Sequence, residues 1–437
     1  MLKGGLFACL DTLKRPKKVR QTEKRVSEYG FGLINSLSLR KKYQTMIISL
    51  RLKNFFSLRD DAVIDFTADS SVRSSFSHLP ENLIDFAGDK FVNIIGLFGG
   101  NAAGKSNIIK AFEFCRNLIL HSHLNNEGDK FDFTPFKFDI DKPSEFYINF
   151  ISDGIEYEYG FTIQDDKILT ESLYHFPNKR RSKVFEREST NLYSHRKGTI
   201  QRPTEVEANT GNKTLFLSRA SSMNRPLAQK VYRFFLNEIV VGANAFNLSN
   251  INREEFDANK DVLLKALEVS DSDIVDIRMT ESTPGQVTLQ SFHRENPKIS
   301  FDFEKEESDG TKRLLSLLIL LLKTSREKAT VFLDEFDLKL HLRLAEFILD
   351  VIRASNGAQL VFTSHNPSLI SREKLRDEQI VFVNKQTDGN SEFTPLSDFN
   401  KVSRKTDVQK AYLQGRFDAV PYIGSIYPEL IQLLNKK

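Results

Sequence analysis

From Met46 to Phe55 (MIISLRLKNF) apolar and polar residues alternate at period two, and Ala62 to Phe66 repeats the alternation, which predicts an edge hairpin with one buried face. A continuous apolar run, Phe91 to Phe98 (FVNIIGLF), ends in glycines and is followed by a helical pattern from Lys105 to Leu120. Strand, glycine turn and helix thus succeed one another directly. Over 132–195 the pattern changes: aromatic and charged residues alternate in Glu145 to Ile151, Ile155 to Ile163 and Lys167 to Tyr174, with Asp153-Gly154 and Asp165-Asp166 as turn signals between them. This predicts an antiparallel β-lobe inserted after the first helix.

Residues 225–270 carry two helical stripes, Val231, Phe234, Phe235 and Ile239, then Val262, Leu263, Ala266 and Leu267. After strands over 273–304 the pattern alternates: helix 310–325, strand 329–334, helix 341–354, strand 358–363, a short helix 366–372 and strand 379–385. Such alternation predicts an α/β fold with a mostly parallel sheet flanked by helices. No heptad run or internal repeat interrupts it, which argues against a long coiled-coil arm. The expected organisation is a leader over 1–45, the first half of the core over 46–130, the β-lobe over 131–222, a helical subdomain over 223–272, the second half of the core over 273–400 and a tail over 401–437.

The chain has 437 residues, of which 40% are hydrophobic and 27% charged, enough for a large core and two or three folded units. The longest apolar stretch, Leu314 to Leu322, contains Ser316 and falls short of the roughly 20 residues that cross a bilayer, so no membrane-spanning role is expected. Cys9 and Cys115 are too few for a disulfide framework or a structural zinc site, which suggests a reducing, cytoplasmic setting. The net charge of +4 divides unevenly, +8 over residues 1–45 and −4 over the rest. A basic arm of this kind binds nucleic acid or anionic lipid. The plainer reading is a disordered leader or an unused upstream start, because Met46 opens a far better strand.

Chemistry enters with Gly99-Gly100-Asn101-Ala102-Ala103-Gly104-Lys105-Ser106, with Asn107 continuing into the helix, a full G-x4-GK[ST] match between a buried strand and a helix. Glycines let successive backbone N–H groups converge, the helix N-terminus adds positive potential, Lys105 reaches terminal phosphates and Ser106 is a Mg²⁺ ligand. A second motif, Thr330-Val-Phe-Leu-Asp334-Glu335, runs an apolar strand into two carboxylates. Asp334 is expected to hold Mg²⁺ through water and Glu335 to act as general base towards an attacking water. Third, Ser308 and Gly310 precede an apolar helix and make a second anion cradle. One chain cannot easily close both cradles on one nucleotide, so Ser308 and Gly310 are expected to act in trans, across a homodimer sandwiching two ATP. Fourth, the strand from Gln359 ends in Thr363-Ser364-His365, and His365 is expected near the γ-phosphate or the attacking water.

These four elements, in this order, resemble the ATP-binding-cassette branch of P-loop ATPases: Walker A at 99–106, signature at 306–313, Walker B at 330–335 followed by Asp337, and a switch His365. The expected fold is therefore a P-loop NTPase of ABC-ATPase-like form. Glu156-Tyr-Glu-Tyr-Gly-Phe161, Phe185-Glu-Arg-Glu188, Glu307-Ser-Asp-Gly-Thr311, Asp334-Glu-Phe-Asp-Leu-Lys-Leu-His341, Arg376-Asp-Glu-Gln-Ile380 and Tyr412-Leu-Gln-Gly-Arg416 look like the AAA-type ATPases of bacterial abortive-infection and anti-phage systems, the RloA-like proteins and the related overcoming-lysogenisation-defect group. The resemblance covers about residues 46–424 and implies an ATP-hydrolysing, dimerising sensor that works beside a separately encoded toxin or nuclease. Nucleic acid is a further partner it allows. Three departures stand out. Leu338-Lys339 replace small residues after the second motif, no Q-loop glutamine is evident because Gln164 lies in the lobe, and the segment after His365 lacks a nuclease's acidic clusters. The alternative is a DNA-repair or chromosome-maintenance ATPase of the RecF or SMC kind, which a slightly acidic, heptad-free body fits poorly.

Overall fold

The alternation over 46–66 is realised as β1 (Met46–Lys53) and β2 (Ala62–Asp65), paired antiparallel with Leu50 opposite Ile64. The structure is a computed structural model and describes residues 44–69, 76–189, 191–242, 253–270, 272–283, 286–355, 357–399, 402–420 and 431–435. Almost all of the basic leader, residues 1–43, lies outside the described residues. Along the chain follow β3 (Leu83–Phe86), β4 (Asp89–Val92), β5 (Ile94–Phe98) and α1 (Lys105–His121). The lobe contributes β6 (Ser144–Ser152), β7 (Ile155–Gln164), β8 (Lys167–His175), β9 (Ser182–Ser189) and β10 (Leu192–His195), then α2 (Pro203–Ala208), α3 (Phe216–Ser222) and α4 (Pro226–Asn237). Next come β11 (Ile239–Val241), α5 (Arg253–Val269), β12 (Ile274–Thr283), β13 (Gln286–His293), β14 (Ser300–Asp302), α6 (Phe303–Glu306) and α7 (Asp309–Glu327). The chain continues through β15 (Thr330–Leu333), α8 (Leu342–Ala354), β16 (Gln359–Ser364), β17 (Ile380–Lys385), β18 (Ser391–Pro395) and α9 (Val408–Leu413).

The core is a six-stranded sheet in the order β11-β15-β16-β5-β17-β18, parallel except for the last pair. Alternate residues of these strands point to opposite faces. Ile95, Leu97, Phe332, Val361 and Val383 join one hydrophobic cluster with α1, α4 and the lobe. Ile94, Phe98, Leu333, Phe362 and Phe382 join a second with α5, α7, α8 and α9. Burial on both faces explains why these strands read as unbroken apolar runs.

The lobe is a continuation of the N-terminal hairpin. β1 pairs with β2 on one side and with β6 on the other, giving a seven-stranded antiparallel sheet ordered β10-β9-β8-β7-β6-β1-β2. Gln359 at the start of β16 fastens it to the core: its amide oxygen accepts from Ile47 N at 2.8 Å, and its amide nitrogen donates to Ile47 O at 2.9 Å. The helices read over 225–270 are separated by β11, three β-branched residues too few to register as a pattern, which pair in parallel with β15. The flanking helices bury into different clusters, Phe234 and Phe235 of α4 in the first, Leu263 and Leu267 of α5 in the second. The short helix read at 366–372 is a single 3₁₀ turn, Pro367–Leu369, capped by the Asn366 side chain accepting from Ser368 N at 3.0 Å. Among the described residues no helix is long and apolar enough to cross a membrane.

Candidate nucleotide site

Gly99 leaves β5 hard against β17, where an added Cβ would lie 2.3 Å from Val383 O. Ala102 and Gly104 then take positive φ, 60° and 104°, curling the loop into α1. Asn101 and Ala102 are exposed at its crest. Behind Gly104 stands Ser391 of β18, whose hydroxyl donates to Ala103 O at 2.6 Å and lies 2.7 Å from the Ser57 hydroxyl. Ser57 also accepts from Asn107 Nδ2 at 2.7 Å. Two serines from distant segments thus brace the loop and the first turn of α1. Neither carries a motif signal, since only the pairing of β18 with β17 and the path of the β1–β2 loop bring them there. Gly104→Ala would place a Cβ 2.0 Å from Ser391 Oγ at a left-handed position. With ~1–2 kcal/mol of backbone strain added to that clash, ATP affinity is expected to fall by about tenfold or more in a fluorescence titration; an unchanged affinity would contradict this packing.

Lys105 is 5% exposed, and its ammonium donates to Gly99 O at 2.8 Å and Gly100 O at 2.9 Å. Burial pushes its pKa down to about 8, against the opposing pull of Asp334 and Glu335. Ser106 Oγ donates to Asp334 Oδ1 at 2.9 Å, and Thr363 Oγ1 donates to the same oxygen at 2.6 Å. Thr363 Oγ1 in turn accepts from Glu335 N at 2.8 Å. The parallel register of β15 on β16, Leu333 beside Phe362, sets Asp334 next to Thr363. Glu335 has φ of 45°, so the chain turns sharply where the two carboxylates part. His365 Nδ1 lies 3.4 Å from Lys105 Nζ, and its Nε2 lies 3.9 Å from Glu335 Oε1. Burial, then the Lys105 cation, depresses the imidazole pKa, so the ring is neutral near pH 7 and its contact with Glu335 is not an ion pair. With Nδ1 facing an ammonium, the ring proton belongs on Nε2, towards Glu335.

Ser308 and Gly310 lie elsewhere. Ser308 is exposed and caps α7, accepting from Thr311 N at 3.1 Å and bonding the Thr311 hydroxyl at 2.8 Å. The start of α7 is held to the turn that follows Glu335: Lys339 Nζ meets Asp309 Oδ2 at 2.7 Å, Lys339 O would lie 3.0 Å from a Cβ on Gly310, and Arg313 Nη2 donates to Glu335 O at 3.4 Å. Lys339, unusual by sequence, is thus engaged by its own chain. Within one chain the structure brings together Lys105, Ser106, Asp334, Glu335 and His365, and does not bond Ser308, exposed at the start of α7, to any of them. Gln164 donates to Asp141 O at 2.8 Å in the lobe. Thr363 stood inside a recognised motif without a role, and its position at the strand end was the available signal.

Ser106 and Asp334 offer two hard oxygen donors side by side, a set that fits Mg²⁺, which is usually held by one or two protein oxygens with phosphates and water completing the shell. Among the described residues no cluster of three or more His, Cys, Asp or Glu offers an all-protein cage. A parallel sheet whose central strand runs through a glycine loop into a helix, with a carboxylate-ended strand two positions away, defines a P-loop NTPase fold. The chain belongs to the family described as "AAA domain, putative AbiEii toxin, Type IV TA system", whose model matches residues 94–371, well over half of the sequence and all the residues gathered at the site. This is a family of P-loop ATPase domains. No curated protein matches the chain. Solved structures with likeness to it include the SMC head domain from Thermotoga maritima, at 13% identity and a TM-score of 0.41 over 80% of this chain and 98% of that one. Another is the Smc head domain with an extended coiled coil, bound to the C-terminal domain of ScpA, from Pyrococcus furiosus, at 15% identity and a TM-score of 0.36 over 85% and 100% of the two chains.

Proposed function

We propose that the chain binds and hydrolyses ATP with Mg²⁺ as a nucleotide-sandwich homodimer, and that this cycle controls a separate toxin or nuclease in an anti-phage abortive-infection system. The observation carrying the enzymatic part is the single Asp334 oxygen that accepts from both Ser106 and Thr363 while Thr363 holds the Glu335 backbone. It ties the phosphate loop, the carboxylate pair and the strand bearing His365 into one hydrogen-bonded unit.

In this reading the backbone N–H groups of residues 99–104 and the N-terminus of α1 bind the β- and γ-phosphates. Lys105 exchanges its two carbonyl partners for phosphate oxygens. Ser106, and Asp334 through water, would hold Mg²⁺, which neutralises charge developing on the phosphates. Glu335 takes the proton of the attacking water, and His365, neutral and donating from Nε2, orients that water or the γ-phosphate. Ser308 and Gly310, with the N-terminus of α7, complete the partner's site.

The family description names a toxin and a type IV toxin–antitoxin system, which supports the defence setting. Stimulation of hydrolysis by duplex DNA, without a protein partner, would favour the repair reading instead. The sandwich is tested by mixing a Ser308→Arg chain with a Lys105→Ala chain, each inactive alone. One composite site, with intact Lys105 from the first and intact Ser308 from the second, should restore a measurable fraction of wild-type turnover. A mixture as inactive as its parts would count against action in trans.

A further inference from the structure

The segment ahead of Ser308 is fastened to the three-stranded β12-β13-β14 sheet at Glu307. His293, the last residue of β13, has both ring nitrogens on carboxylates: Nδ1 lies 2.9 Å from Asp273 Oδ1, just before β12, and Nε2 lies 2.9 Å from Glu307 Oε1, in the residue next to Ser308. Ser291, two residues earlier on β13 and buried, donates its hydroxyl to the same Glu307 oxygen. Phe301 of β14 closes the remaining side, edge-on to the imidazole with ring centres 4.6 Å apart. The Glu307 and His293 side chains are only 10% and 20% exposed, so water replaces their mutual contact poorly, whereas Asp273, at 66% exposed, holds the solvent side of the ring. A neutral imidazole has one N–H and serves one carboxylate; imidazolium serves both at once.

We propose that His293 is a positioning residue for the signature segment: as imidazolium it pins Glu307 to Asp273, and so holds Ser308 and Gly310 in the orientation from which they meet the partner subunit's nucleotide. This rests on the dimer reading above. The charged groups facing the ring are Asp273 from the segment before β12 and Glu307 from the α6–α7 junction; β14 contributes only the Phe301 ring, and Arg294, the next residue, acts on Asp273. Burial pulls the imidazole pKa down, but the hydrogen bond to Asp273 and the two carboxylate charges outweigh it, leaving the value raised. A raised histidine pKa means the latch is fully made below the ordinary histidine range and is lost as pH rises through the folded-state value. Signature engagement should therefore weaken on the alkaline side.

The test uses the full chain carrying Glu335→Gln, followed by sedimentation with Mg·ATP at increasing pH. Adding His293→Gln, which keeps an N–H donor group at one end of the side chain and carries no charge, should weaken ATP-dependent dimerisation by about tenfold, the effect of one lost charge-assisted hydrogen bond, and flatten its pH dependence. ATP binding by the monomer should stay as it was, which a general folding defect would not allow. Glu307→Gln should reproduce the effect from the other partner. A Glu335→Gln chain that never dimerises with ATP defeats the dimer reading itself. One that dimerises equally well with and without His293, at the same pH dependence, overturns this inference alone. Independently, the His293 ring resonance should titrate above the ordinary histidine value and move down in Glu307→Gln; titration at or below the ordinary value also overturns it.

Discussion

Replacing Lys105 by alanine is expected to lower ATP turnover by about 10²–10³-fold, the usual cost of removing one preorganised donor from a site of developing negative charge. The side chain is not a surface lysine with a loose partner. It is buried at the root of the loop, shares its protons between two backbone carbonyls, and lies within reach of His365. Its depressed pKa, about 8, adds a signature of its own. Above that pH the free site loses its positive charge, so ATP affinity should decline as pH rises through about 8, although the bound triphosphate pulls the pKa back upward. Lys105→Arg keeps its charge at any working pH and should show no such decline, whatever its absolute affinity. Undiminished turnover in Lys105→Ala would remove the loop from the reaction.

Glu335→Gln should separate binding from hydrolysis. The substitution leaves Ser106, Asp334 and Thr363 untouched, and because Glu335 meets Thr363 through its backbone N–H, glutamine keeps that contact. What is lost is the carboxylate that accepts a proton, worth about 10²–10⁴-fold in rate. ATP and Mg²⁺ should then accumulate in the sandwich, and light scattering should show twice the mass of the nucleotide-free chain. A monomer in both conditions would contradict the trans arrangement of Ser308 and Gly310, whatever the hydrolysis rate.

What could be read in advance follows the physics of each element. The loop from Gly99 to Ser106 is contiguous, and its glycine and Lys-Ser pattern encodes its own shape. Asp334 and His365 are visible because buried parallel strands read as apolar runs, and polar residues at the ends of such runs stand out. Thr363 stands at such an end, but its role comes only from the register of β15 on β16, and Ser57 and Ser391 are invisible because an isolated hydroxyl gains meaning only from the pairing of β18 with β17 and the path of the β1–β2 loop. β11 escaped because three residues carry no period, and the union of hairpin and lobe escaped because pairing of β1 with β6 crosses the whole of α1. The meeting of Asp273, His293 and Glu307 was not legible, since they are spaced without pattern and come together only through the fold of β12 and β13.

On the proposed function, Lys105, Ser106, Asp334, Glu335 and His365 act as one receptor for a magnesium-bound triphosphate. Calorimetric titration of Mg·ATP into the wild-type chain, with Lys105→Ala titrated alongside, tests it most directly. Saturation is expected at one nucleotide per chain in the wild type, weakened when Mg²⁺ is chelated and lost in the variant. A wild-type chain that takes up no ATP, or one that binds it equally well without Lys105, would contradict it.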